Sequence, residues 1–151
     1  MALAAASGTP AKAAIKVGTD AESKALLLRM LRVMYPHERF PDAPYERTGD
    51  AIRAAAQKSI AQSLMFAEGL QDLKASDFNG MDDATALAHL TSIESTDFFQ
   101  LVRGTTVVTL YNDPEVWEIL GYEGPSFDKG GYINRGFNDL DWLPEPRITE
   151  L

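Results

Sequence analysis

Leu26, Leu27, Met30, Leu31 and Met34 recur at the intervals of one helical face, the first strong periodic signal in the chain. Thr19 and Glu22 stand at capping-box spacing ahead of it, and Tyr35-Pro36 ends it, because the residue before proline is pushed out of the α region. After the proline-punctuated stretch 36–44 (PHERFPDAP), a second helix is predicted to start near Pro44. Its stripe is Ile52, Ala55, Ala56, Ile60 and Leu64, continuing through Leu70 and Leu73. Whether 45–74 is one long helix or two stays open, with Gly49 and Gly69 each costing on the order of 1 kcal/mol relative to Ala. Asn79-Gly80 marks a turn, and Asp82 or Asp83 can cap a short helix carrying Leu87, Leu90 and Ile93.

Ser95 and Thr96 restart the chain into a helix with Phe98, Phe99, Leu101, Val102 and Leu110. Its β-branched run 105–109 (TTVVT) has strand character, yet no second strand of similar quality exists to pair with it, so helix is expected. Asp113-Pro114-Glu115 then supplies a capping acid, a proline at the first helical position and an acid in the first turn. Val116, Trp117, Ile119 and Leu120 follow, and Gly121 suits a left-handed stop. The fold class read from this pattern is all-α: one domain of five or six helices over 19–121, preceded by a mobile arm over 1–18.

The final stretch, 122–151, breaks the pattern. With Gly121 included, its 31 residues hold five of the 11 glycines and three of the eight prolines, so regular structure should be sparse. They also hold Tyr122, Phe127, Tyr132, Phe137 and Trp142, five of the 14 aromatics, whereas a solvated linker should be poor in such residues. At roughly 150–250 Å² each, these rings amount to about the area one partner contributes to a standard interface. An extended tail docking on its own domain or on another chain is therefore expected.

Composition narrows function by exclusion. The chain has 151 residues, 22 acidic against 14 basic, a formal net charge of −8 and no cysteine. Such a surface is a poor match for nucleic acid or an anionic membrane, and no apolar run approaches the roughly 18 residues a bilayer span needs. Without cysteine the chain supplies no disulfide, thiolate nucleophile, Cys-based zinc site or iron–sulfur ligand. The leading segment 1–8 (MALAAASG) reads either as a flexible Ala-rich lead or as the cleavage end of an export signal whose front half is missing.

Candidate chemistry is thin. His37 and His89 lie far apart without ligand-like neighbours; a solvated or capping role suits His37, and partial core contact suits His89. Asp82-Asp83 is explained by a helix cap and its dipole. Asp139 and Asp141 share one side of an extended segment, as a Ca²⁺ loop or acid/base pair requires, but the further oxygen ligands and closing Glu of an EF-hand are missing. Gly130-Gly131 lacks the Lys-Ser/Thr of a phosphate loop, and Ser126 lacks a nucleophile-elbow context.

Two segments carry a resemblance. Residues 91–110 (TSIESTDFFQLVRGTTVVTL), running into Tyr111-Asn112-Asp113-Pro114, and residues 115–144 (EVWEILGYEGPSFDKGGYINRGFNDLDWLP) resemble the C-terminal half of the gluconate 2-dehydrogenase subunit 3 family. Residues 28–41 (LRMLRVMYPHERFP) are similar to that family's opening helix and its proline-containing exit. The resemblance implies a non-catalytic small subunit with no cofactor of its own. Its partner would be a large FAD-dependent oxidoreductase of the glucose–methanol–choline type, acting on a sugar or alcohol, and a cytochrome could serve as electron acceptor.

The small subunit would support folding, stability and export of its partner to the periplasm on a shared twin-arginine signal. No Arg-Arg motif is visible in this sequence, and a cytoplasmic location stays open. The interface candidates are Tyr122, Phe127, Tyr132, Arg135, Phe137 and Trp142, with Arg135 suited to a bidentate carboxylate. Trp117, on a helix, is expected to close the protein's own core. Two rivals stand beside this reading. One is a stand-alone helical enzyme or ligand carrier using Tyr111–Asp113 and Asp139/Asp141; the other is a general helical interaction protein.

Overall fold

A computed structural model describes residues 17–131, and every described element is helical. Six α-helices run in order: α1 Ala21–Met34, α2 Asp42–Ala56, α3 Ile60–Ala75, α4 Asp83–Ser92, α5 Asp97–Leu110 and α6 Pro114–Leu120. Short 3₁₀ turns occupy Phe78–Gly80 and Phe127–Lys129. The all-α expectation and the helical count both hold. The described body also takes in Val17, buried in the core, and Gly18, which lies against Phe66 and Leu70; both were assigned to the arm.

Local chemistry explains where each helix begins. Asp20, not Thr19, caps α1: its carboxylate accepts from the Ser23 backbone N–H at 2.8 Å and from the Ser23 hydroxyl at 2.7 Å. Glu22 is thereby released from the expected capping box and pairs with Lys74 of α3 at 2.5 Å. Asp82 caps α4 through Thr85, Thr96 caps α5 through Phe99, and Asp113 caps α6 through Glu115 with Pro114 at the first helical position. Gly121 stops α6 at φ 74°, in the left-handed region.

The stretch 45–74 resolves into two helices. α2 starts at Asp42, two residues before Pro44, whose missing N–H falls in the first turn where no intrahelical acceptor exists. It ends at Ala56, and Ser59 caps α3 by accepting from Gln62 N–H at 3.1 Å. Buried Ser63 spans the joint, its hydroxyl placed 3.0 Å from the carbonyls of both Ala56 and Ser59. Three residues of joint reset the helical phase. Ile60 and Leu64, expected on the buried stripe, consequently face solvent at 56% and 55% exposure, and Ser63, Phe66, Leu70 and Leu73 turn inward. Leu87 on α4 is likewise exposed, while Ala86 and Leu90 are buried.

The core lies where α2 packs along α5, the most extensive helix pairing, with α1 against α2, α3 and α4. Leu27, Met30, Leu31, Tyr45, Phe66 and Phe78 are among its fully buried side chains. The run 105–109 is helical within α5, with Thr106 buried and its hydroxyl donating to the Val102 carbonyl at 2.6 Å. Gly69 lets α3 approach α5: a Cβ there would fall inside the Phe98 ring, itself buried and 5.6 Å from Phe66 between ring centres. At Gly104 a Cβ would meet nothing within 4 Å.

One substitution at these two glycines should therefore act with opposite sign. Gly69→Ala is expected to destabilise by ~1–3 kcal/mol through overpacking, and Gly104→Ala to stabilise by about 0.8–1 kcal/mol through helix propensity. Urea unfolding followed by circular dichroism reads both.

Candidate interaction site at the root of the C-terminal segment

The chain arrives at its C-terminal segment through the turn between α5 and α6, and this turn is fastened from several sides. Asp113 is buried at 8% exposure and accepts from Arg47 of α2 in fork geometry, at 2.7 Å from Nε and 2.9 Å from Nη2. The same guanidinium reaches Glu115 at 2.6 Å. The hydrogen bonds from Arg47 hold the Asp113 carboxyl below the ordinary carboxylate range, helped by the Glu115 backbone N–H. In return Arg47 is held more firmly protonated.

Tyr111, two residues earlier, is a second fastening. Its hydroxyl lies 2.6 Å from His37 Nε2, and its carbonyl accepts from the Trp117 indole N–H at 2.7 Å. Its ring also meets Tyr35 edge-on at 6.1 Å between centres. The loop 35–40 on the other side of this contact is itself braced. The Arg32 guanidinium lies over the Tyr45 ring at 4.2 Å, pairs with Asp42 and donates to the His37 carbonyl at 3.2 Å. The Tyr45 hydroxyl donates to the Tyr35 carbonyl at 2.5 Å, and Arg39 donates to the Ile119 carbonyl at 3.2 Å.

His37 was expected to be solvated or capping; it is instead half-buried among rings, 4.3 Å from Phe40 between centres. Burial, with nearby Arg32 adding to it, lowers its pKa and favours the neutral ring. The Tyr111 hydroxyl is then read as donor to Nε2. His89 makes the partial core contact expected of it, half-buried with its ring 5.8 Å from Phe78.

Beyond α6 the segment folds back over Trp117. Tyr122 packs perpendicular to the indole at 5.3 Å, and its N–H donates to the Trp117 carbonyl at 2.8 Å. Gly124 is buried at φ 82°, where a Cβ would lie 3.4 Å from the indole. Trp117 is thus half-buried beneath the segment's root, covering the protein's own surface and not filling the central core. Ser126 is buried, and its carbonyl accepts from Lys129 and Gly131 at 3.0 and 2.9 Å. This tight turn leaves Phe127 99% exposed, with Tyr122 43% exposed beside the anchored root.

Of the six interface candidates, the structure places Tyr122 and Phe127 on this outward surface. Tyr132, Arg135, Phe137 and Trp142 lie outside the described residues, as do Asp139 and Asp141. The partners that create the site were not legible beforehand. Arg47 stands 66 positions from Asp113 and His37 stands 74 from Tyr111, and nothing in local spacing links such pairs. Among the described residues no three His, Asp or Glu side chains cluster as a metal site would need. No described helix is long and apolar enough to cross a membrane. Comparison with protein-family models, with curated proteins and with solved structures returned no match.

The ion pair at the root makes a pH prediction. A carboxyl with a depressed folded pKa stabilises fully above its unfolded value, about 3.9, and that contribution fades as pH falls through the folded value. Arg47→Met removes the main cause of the depression. The variant should be less stable than the parent at pH 7, and the gap should narrow below about pH 4. Urea midpoints across pH 2.5–7 would show it.

Proposed function

We propose that the chain is a non-catalytic small subunit of a large FAD-dependent oxidoreductase of the glucose–methanol–choline type. In this reading it supports the folding, stability and export of a partner that acts on a sugar or alcohol. The partner holds FAD and the substrate, the pair works in the periplasm, and a cytochrome can take the electrons. The reading rests on the resemblance of segments 28–41 and 91–144 to the gluconate 2-dehydrogenase subunit 3 family.

The observation that carries the interaction role is Phe127. A phenyl ring 99% exposed on a turn whose base is buried and hydrogen-bonded is costly to keep in water and ready for a pocket. Tyr122 stands on the same fastened root. Holding the backbone beneath these rings before binding removes part of the ordering cost of association. The same surface also suits a helical interaction protein with no redox role, and the choice between them is experimental.

The test is co-purification with the product of the neighbouring reading frame. A stable complex carrying flavin absorbance is expected. Tyr122→Asp with Phe127→Asp should weaken it by about 1,000-fold, because central aromatic anchors often contribute about 2 kcal/mol or more each. Turnover by the isolated chain, or a partner without flavin, would overturn the redox reading. Unchanged affinity in the double variant would remove the interface assignment.

A further inference from the structure

A groove of about 280 Å³ opens where α3, the end of α4 and the start of α5 meet. Its floor is apolar, made by Met65, Leu73, Ile93 and Phe98. Its rim carries Glu68, Asp72 and Asp97, with half-buried His89 beside them. All three acids are exposed, and none pairs with a cation among the described residues. The flanking helices offer them little: α4 has neither Lys nor Arg, and Lys74, the one basic residue of α3, pairs with Glu22.

Local chemistry explains only one of these acids. Asp97 suits the first turn of α5, where the helix dipole favours negative charge. Asp72 falls in the last turn of α3, where the dipole favours a cation. Glu68 stands four residues before it on the same face, and like charges at that spacing repel. The rim is continuous with a second feature. Ile60, Leu64, Glu68 and Asp72 form a single i, i+4 ridge along α3, about 18 Å long. Its first two members are 56% and 55% exposed. The ridge is thus apolar at one end and acidic at the other, where it borders the apolar groove.

We infer that ridge and groove together dock an amphipathic helix of another protein, with apolar side chains against Ile60 and Leu64 and an arginine or lysine in the groove. The aliphatic stem of such a side chain suits Met65, Ile93 and Phe98, and its charged head meets the carboxylates. No three of these acids and His89 converge as a metal ion would need, so the rim suits a larger organic cation. A helix is the fitting occupant because i, i+4 ridges interdigitate between helices. The chain's net charge of −8 favours approach of a basic partner. This face lies at the start of α5, and the root bearing Phe127 lies beyond its other end. The inference does not rest on the redox reading.

The probe is a display library of helical peptides of about four turns, randomised along one face and screened against the full-length chain. Selected peptides should carry Arg or Lys one or two turns from an apolar pair. Their binding should shift the backbone amide signals of residues 64–73 and 93–98 in NMR spectra. In fluorescence anisotropy, Glu68→Gln/Asp72→Asn should weaken the best peptide about tenfold or more, with thermal stability not lowered. Leu64→Gln should weaken it as well. Glu118→Gln/Asp128→Asn makes the same charge change elsewhere and should leave affinity within about twofold. Absence of binders, selected peptides without basic residues, or equal loss in both charge variants would overturn the assignment. Concentration-dependent shifts of the same signals without peptide would overturn it in favour of a second copy. Shifts of those signals in peptide-free Lys12→Gln/Lys16→Gln would do so in favour of the chain's own leading segment.

Discussion

Burying a carboxylate is unfavourable unless its charge is answered, and at Asp113 one side chain answers several demands together. It caps α6, receives the Arg47 fork from α2, and sits at the turn where α5 ends. Because Arg47 remains about half exposed, the pair keeps access to water on the cationic side, and the heavy desolvation cost of a fully buried ion pair is avoided. The consequence is geometric more than energetic. A fork–carboxylate contact tolerates little rotation, so the turn after α5 has a set orientation on α2. The Tyr111–His37 contact, the Trp117–Tyr111 hydrogen bond and the fold-back over Trp117 all follow from that orientation.

How much of this was legible depends on the range over which each cause acts. Asp82, Thr96, Asp113 and Gly121 were readable because a cap acts within three residues, inside any sequence window. Thr19 was off by one for a physical reason. Thr and Asp both cap, and Asp20 prevails by also accepting the Ser23 hydroxyl. The apolar spacing across 45–74 misled because periodicity is meaningful only within one helix. Once Gln57–Ser59 resets the phase, Ile60 and Leu64 no longer continue the stripe of Ile52 and Ala56. Ser63, a polar residue that the periodic reading passes over, suits the buried face because its hydroxyl lies within hydrogen-bond reach of both carbonyls at the joint.

Two of the glycines inside helices show the same limit. Gly69 and Gly104 are equivalent weaknesses by helix propensity, yet one is the contact point of α3 with the Phe98 ring and the other faces open space. No local rule separates them; the distinction is created by which helices cross. The interface candidates divide likewise. Aromatic richness marked the C-terminal segment, but only the fold-back over Trp117 and the turn at Ser126 show that Tyr122 is half involved at home while Phe127 points fully outward.

Charge completes the picture in a way composition alone could not. Arg29, Arg32, Arg47, Arg53 and Lys74 each pair with a carboxylate of the same chain. Most of these pairs lie at the surface, so individually they add little stability. Collectively they occupy cationic donors that a phosphate backbone would otherwise engage, and the excess acid remains outward. Recognition of another macromolecule by this surface therefore depends on apolar anchors, or on basic groups contributed by the other side. Phe127 meets the first condition on a base that the Asp113–Arg47 contact helps to hold still.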